Sequence, residues 1–265
     1  MRSTAGSGGP TEAPMHESVK AIVIREREGR GSDRLFKLLT ESGQTVTALA
    51  KGVRRKNSPL APGCQLLAYS SFNIFDYRGW TTIDTAEPEE MFLGLRGDLE
   101  RMSLALYFCE LLEEIAGADQ ANPDLTRLAL NALYCLSGEA KPRELIKAAF
   151  ELRLAALAGY EPDLGGCADC GGEIQTAAFF DLRSGVFRCE KCDAGRGIAL
   201  GGGVLKAVRY ILSADLSKLF SFSLSGRAMA TLSELCEQYL LYQIDRRPST
   251  LEYYKKVVVL GHTYG

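Results

Sequence analysis

The chain has 265 residues, enough for one large domain or two to three small ones with a buried core. Hydrophobic residues make up 46% and charged residues 24%, which is ordinary for a globular protein, and no apolar run approaches the roughly 20 residues that span a bilayer. The net charge of −2 hides an uneven distribution: residues 19–85 carry 11 Lys/Arg against 6 Asp/Glu, whereas the remainder carries 20 against 27. This asymmetry points to a polyanion-binding module joined to an acidic body.

Residues 1–18, MRSTAGSGGPTEAPMHES, are rich in Gly, Ser, Thr and Pro and read as a disordered leader, with Met15 the candidate start of the ordered chain. They contain no apolar h-region, so they are not a secretory signal, and the expected location is the reducing cytoplasm. There the eight cysteines are not expected to form stable disulfides, and paired thiols point to metal.

Residues 19–90 read as strands. VKAIVIR (19–25), RLFKLLT (34–40), TVTALAKG (45–52), QLLAYSSFNIFDY (65–77) and WTTIDTAE (80–87) are separated by turns and by the basic, Pro/Gly-broken loop 53–63. Five short strands in so few residues predict a small closed barrel of OB-fold type.

From 91 to 265 the period becomes helical. Helices are expected over 98–117, with Leu99, Met102, Leu106, Cys109, Leu112 and Ala116 on one stripe, from Asn122-Pro123 to Gly138, and from Lys141-Pro142 to about Gly159. Two more are expected at about 203–213 and 226–244. The fold class is therefore α+β and multidomain: an N-terminal OB-fold barrel, a helical bundle domain and an inserted zinc-finger-like element of four cysteines at about 164–196.

Cys167, Cys170, Cys189 and Cys192 fit the C-x₂-C-x₁₅₋₂₀-C-x₂-C spacing of a tetrathiolate zinc site. A two-residue spacer points both sulfurs of a pair at one ion, and Ser184-Gly185 supplies a turn that returns the second pair to the first. With four thiolates no coordination position stays open, so one structural Zn²⁺ per chain is expected. Cys64, Cys109, Cys135 and Cys236 sit among apolar residues and read as core. Gly201-Gly202-Gly203 reads as a flexible linker leaving the zinc element.

Little in the sequence supports catalysis. His16 and His262 are the only histidines and lie near the chain ends, and no phosphate-cradling, dinucleotide, zincin or serine-hydrolase motif occurs. Glu113 and Glu114 read as the solvated face of a helix. A non-enzymatic binding protein is expected. Lys51, Arg54, Arg55 and Lys56 cluster where a strand enters a loop, with Arg25, Arg27, Arg30, Arg34, Lys37 and Arg78 nearby. Phe72, Phe75, Tyr77 and Trp80 lie on the same sheet, with about half expected to fill the barrel. Cations neutralise phosphates and flat rings stack on unpaired bases, so this segment is a candidate nucleic-acid surface. On the residues alone, a zinc-containing RNA-binding or transcription-associated OB-fold protein is the alternative reading.

The order and spacing of GSDRLFKLLTESGQTVTALAKGVRR (31–55), AEPEEMFLGLRGDLERMSLALYFCELLEE (86–114), FELRLAALAGYEPDLGGCADCG (150–171) and FRCEKC (187–192) resemble the RecO family of bacterial recombination mediators, over about residues 17–256. The resemblance implies binding of single- and double-stranded DNA and annealing of complementary strands. It also implies partnership with RecR and with the acidic tail of SSB, and help in loading RecA onto SSB-coated DNA. By position, it makes Arg34, Lys51, Arg54 and Arg55 DNA-contact candidates, and it offers Arg153 as a basic rim for the SSB tail.

Overall fold

The computed structural model describes residues 16–264, apart from 78, 139, 194, 196 and 225. The first strand, β1 (His16–Glu28), is followed by β2 (Arg34–Thr40), β3 (Thr45–Ala50), β4 (Tyr69–Tyr77) and β5 (Trp80–Glu90). They close into a barrel in the order β1-β2-β3-β5-β4, with β3 and β5 pairing in parallel and the other neighbours antiparallel. His16, Glu17 and Ser18 already pair with Phe75, Ile74 and Asn73, so the barrel takes in the last three residues of the expected leader. The rest of that leader, 1–15, lies outside the described residues.

The weak alternation of VKAIVIR has a physical cause: both faces of β1 are buried. Ala21 and Val23 point into the barrel with Phe36, Leu38, Ala48, Phe72 and Ile83. Ile22 and Ile24 point outward and, with Leu39 and Leu67, join the core of the helical domain. The β1–β2 register shifts between Val23 and Arg25, leaving Ile24 as the extra residue of a bulge. Beyond the bulge Arg25 stands opposite Lys37.

Six helices are present among the described residues: α1 (Leu99–Ile115), α2 (Pro123–Ser137), α3 (Arg143–Leu157), α4 (Gly202–Ser213), α5 (Gly226–Ile244) and α6 (Ser249–Tyr264). Asp98 starts α1 by accepting a hydrogen bond from the Arg101 N–H at 3.0 Å. The expected single stripe on α1 is corrected. Leu99 is 60% exposed, while Leu104, Tyr107, Phe108 and Leu111 are buried, because α1 packs at once against the barrel, α2 and α6. Phe108 stacks on Phe150 of α3 with ring centroids 3.9 Å apart, a contact worth about 0.5–1.5 kcal/mol beyond its area. Asn122 precedes Pro123 as expected, but its amide donates to the Leu157 carbonyl at 3.3 Å instead of capping its own helix.

The barrel is seated on the helices by its β2–β3 turn. Gly43, at φ +79°, approaches so closely that a Cβ would lie 1.8 Å from the Asn122 carbonyl oxygen. Thr45 N–H donates to the Gly117 carbonyl at 3.0 Å, and the Thr126 hydroxyl of α2 donates to the Thr40 carbonyl at 2.6 Å.

Between α3 and α4, β6 (Asp163–Cys167), β7 (Ala177–Asp181), β8 (Val186–Arg188) and β9 (Ile198–Gly201) form a sheet ordered β6-β8-β7-β9. The sheet does not stand apart from the bundle: Cys167, Ile174, Ala178, Phe180, Phe187 and Leu200 are part of the large helical core. Phe180 meets Tyr239 of α5 edge-on at 5.1 Å. The expected flexible linker at Gly201–Gly203 is also corrected. Gly201 ends β9 and Gly202 begins α4, where a Cβ on Gly202 would meet the Thr176 carbonyl at 2.8 Å. Close backbone approach, not looseness, accounts for glycine there.

Candidate nucleic-acid interface and metal centre

Two loops meet at one end of the barrel. The β1–β2 turn carries Arg30, and the long β3–β4 connection begins Lys51-Gly52-Val53-Arg54-Arg55-Lys56. Gly52 N–H donates to the Asp33 carboxylate at 2.7 Å and Arg54 N–H to the Ser32 carbonyl at 3.0 Å, so the loops are locked together by backbone donors. Val53 and Leu60 turn into the barrel core and anchor the connection. The side chains of Arg30, Lys51, Arg54, Arg55 and Lys56 are left exposed on one tip. Long, exposed side chains on a fixed backbone neutralise a polyanion at small desolvation cost and with release of its counterions.

Other members of the expected set fall elsewhere. Arg34 is only 6% exposed; it pairs with Glu26 at 3.2 Å and Glu28 at 3.5 Å and donates to the Asp33 carbonyl at 2.9 Å. Its fork is used to fix the β1–β2 hairpin, so it leaves the exposed basic surface. Arg78 lies outside the described residues. Arg153 donates to the Ala214 carbonyl at the end of α4, and its Nε is buried without a partner. Burial pushes its pKa down. That guanidinium closes a helix end and is only partly exposed. Of the aromatics, Phe72 fills the barrel while Trp80 is 54% exposed on the β4–β5 hairpin. Phe75 is partly covered by the His16 ring at 5.1 Å.

Glu113 of α1 is not a solvated residue. Arg25 contacts its carboxylate at 2.5 Å, Arg27 at 3.2 Å and Lys37 at 3.6 Å, and its side chain is 13% exposed. Burial raises its pKa, but the Arg25 hydrogen bond and the three cations outweigh that and bring it below the ordinary carboxylate value. Periodicity carries no hint of this cluster, because Glu113 lies on a different element, 76 to 88 residues from the three cations. Glu114 likewise pairs with Arg246.

The cysteine quartet assembles as the spacing predicts. One sulfur from each of Cys167, Cys170, Cys189 and Cys192 lies within 4.8 Å of all the others. Cys170 and Cys189 are 3.9 Å apart, close to the ~3.8 Å edge of a tetrahedron with Zn–S bonds of about 2.3 Å. The Cys189 N–H donates to Cys167 Sγ at 3.4 Å. That bond and one from the Cys170 N–H hold the Cys167 thiol at about 6, whereas hydrogen bonds with the Cys189, Cys170 and Cys167 sulfurs push Cys192 up to about 12. Four thiolates this close repel one another, and a bound cation removes that repulsion, so the donor set fits a metal ion. Arg188 braces the centre from outside, pairing with Asp169 of the first knuckle at 3.2 Å and Asp181 of β7 at 3.0 Å. Cys64, Cys109 and Cys236 are buried as expected, with burial pushing Cys64 and Cys109 up to about 12; Cys135 is half-buried.

No helix among the described residues is long and apolar enough to cross a membrane. The family pattern described as Recombination protein O N terminal matches residues 15–92, the barrel, and Recombination protein O C terminal matches residues 96–252. Curated relatives named DNA repair protein RecO span nearly their whole length here. That of Acetivibrio thermocellus is 31% identical over 238 residues, 88% of this chain and 94% of its own. The Alkaliphilus metalliredigens protein is 30% identical over 241 residues, 90% of this chain and 98% of its own. The Symbiobacterium thermophilum protein is 31% identical over 242 residues, 89% of this chain and 95% of its own. With the barrel matched by the N-terminal pattern and most of the helical domain by the C-terminal one, in order, the chain belongs to the RecO family.

Proposed function

We propose that this protein is a non-enzymatic DNA-repair mediator. It binds single- and double-stranded DNA through the basic tip of its barrel and anneals complementary strands. With RecR, it helps load RecA onto SSB-coated DNA in gap repair and homologous recombination. The observation that carries this reading is the tip itself: two loops locked by Gly52 and Arg54 N–H donors present Arg30, Lys51, Arg54, Arg55 and Lys56 to solvent. Such a surface recognises a phosphate backbone and not a sequence, which suits a protein that acts on whatever strand is exposed. Membership of the RecO family supports the repair role and the partners RecR, SSB and RecA. The activity needs no nucleotide turnover, and its setting is the cytoplasm, on the nucleoid. The cation of the cysteine quartet is zinc, one per chain, bound by Cys167, Cys170, Cys189 and Cys192 as a structural ion.

The test is an Arg54→Ala/Arg55→Ala double variant, titrated with single-stranded oligonucleotides at several salt concentrations. Affinity is expected to fall for all sequences alike. The slope of log K against log salt should shrink by about 1.4, at ~0.7 per phosphate contact on single strands. An unchanged affinity and slope would remove the tip from the account.

A further inference from the structure

The three cations on Glu113 form a row that continues the exposed tip. Arg25 and Arg27 are two residues apart on β1 and so share a face, about 7 Å from each other, and Lys37 stands opposite Arg25 on β2. The strand then runs on to Glu28 and into the turn that carries Arg30. Around Glu113 the count is three cations to one carboxylate. Glu110, the next acid along α1, is engaged elsewhere: it accepts from the Thr250 hydroxyl and from the Ser249 and Thr250 N–H groups at the start of α6. Glu26 and Glu28 face Arg34.

Accessibility separates the partners. The Glu113 side chain is 13% exposed, whereas those of Arg25 and Arg27 are 48% and 62% exposed. The carboxylate therefore sits beneath the guanidinium groups and holds them from the protein side, while their outer faces meet water. A cleft of about 520 Å³ opens beside them, lined by Arg25, Arg27 and Arg34 and by the carboxylates of Glu26, Glu28, Glu110 and Glu113, so the cations of Arg25 and Arg27 meet a strand only on their outer, solvent side. An oxyanion already occupies one side of a site whose other side is open.

We propose that Arg25, Arg27 and Lys37 form a second phosphodiester-binding site, and that Glu113 is a built-in competitor that holds these cations until a nucleic-acid strand draws them outward. The inference rests on the barrel being the DNA-binding module. It adds a site on the flank of the barrel that faces the helices, and gives the helical domain a part in setting affinity. A carboxylate inside the site lowers its grip on DNA, which favours release of a strand once it has been paired.

The experiment measures single-stranded DNA affinity and its salt dependence for the intact chain and for Glu113→Gln, which keeps the shape and removes the charge. Binding is expected to tighten by ~3- to 10-fold at low salt, with a slope steeper by about 0.7–1.4, one to two further phosphates. Arg25→Ala/Arg27→Ala should weaken the otherwise unaltered protein and abolish the gain in the Glu113→Gln background. A folded Glu113→Gln protein that binds with unchanged affinity and slope overturns the inference. If Glu113→Gln fails to fold, Arg25→Ala/Arg27→Ala is compared with the charge-matched Lys206→Ala/Arg227→Ala, two exposed residues of the helical domain. A larger loss at Arg25/Arg27 supports the site, and an equal loss overturns it. Failure of the Arg54/Arg55 tip to matter would be a separate result, against the broader reading.

Discussion

Asp98 shows how one side chain joins local structure to packing. It caps α1 through the Arg101 N–H and also faces Arg143, at the start of α3, at 2.6 Å; Arg143 in turn reaches Glu100 at 2.6 Å. Burial raises the Asp98 carboxyl, but the Arg101 N–H and the Arg143 guanidinium outweigh it, and the net shift is downward. Because the folded pKa lies below the unfolded one, the charge stabilises the fold above the ordinary aspartate value of about 3.9. That contribution disappears as the pH falls through the folded value. Asp98→Asn keeps an acceptor for the cap and removes the charge. It should cost about 1 kcal/mol at pH 7, since the pair is partly solvated. The stability gap to the native protein, read by denaturant unfolding, should be constant from pH 7 to 5 and close toward pH 3. A gap that widens on acidification contradicts the assignment. Single residues of this kind are partly legible in sequence. An Asp before an apolar run signals a cap, but neither its Arg143 partner nor the cluster on Glu113 has a local signature, because the fold brings those charges together from distant elements.

At the scale of elements, the legible parts are those with strong local chemistry. Gly43 in the ESGQ turn and Gly79 before Trp80 mark the hairpins. Leu125, Leu128, Ala132, Leu133 and Leu136 mark the buried face of α2, and all five are buried in the structure. The four cysteines are legible because metal geometry constrains spacing directly. Helix α6 is missed: its Val257-Val258-Val259 run favours strand, although Leu251, Tyr254 and Val257 recur at helical spacing and are the buried residues. The sheet around the quartet is also under-read, since β6 and β9 are short; β6 gains its order by pairing with β8, and β9 by pairing with β7 and packing on α4 and α5. That packing sets the consequence of metal loss. Removing the proposed zinc should free the knuckles that hold Phe180 and Phe187 in the common core. About 3 kcal/mol lost corresponds to a fall of ~6–12 °C in Tm for a chain of this size. Chelation followed by thermal unfolding checks this, with Cys170→Ser as the genetic counterpart. Single-stranded DNA affinity at low temperature should change less than about twofold, because the tip lies on a separate element. Protein purified under reducing conditions that carries no bound metal, and whose Tm ignores chelator, contradicts the structural role.

For the whole molecule, the barrel and helices share one continuous core through Ile22, Ile24, Leu39 and Leu67. The basic tip is therefore held rigidly relative to the helical domain, with Glu113 linking the two. In the function proposed above, a basic edge joined to a body of opposite average charge would hold strands by their backbones and leave the bases free to pair, with no bound nucleotide. The most direct measurement is the annealing rate of two complementary oligonucleotides, each coated with cognate SSB, with and without the protein and with no nucleotide added. The account predicts clear acceleration, reduced in Arg54→Ala/Arg55→Ala. No acceleration, with the SSB shown to be active, would contradict it and leave the fold without the activity assigned to it.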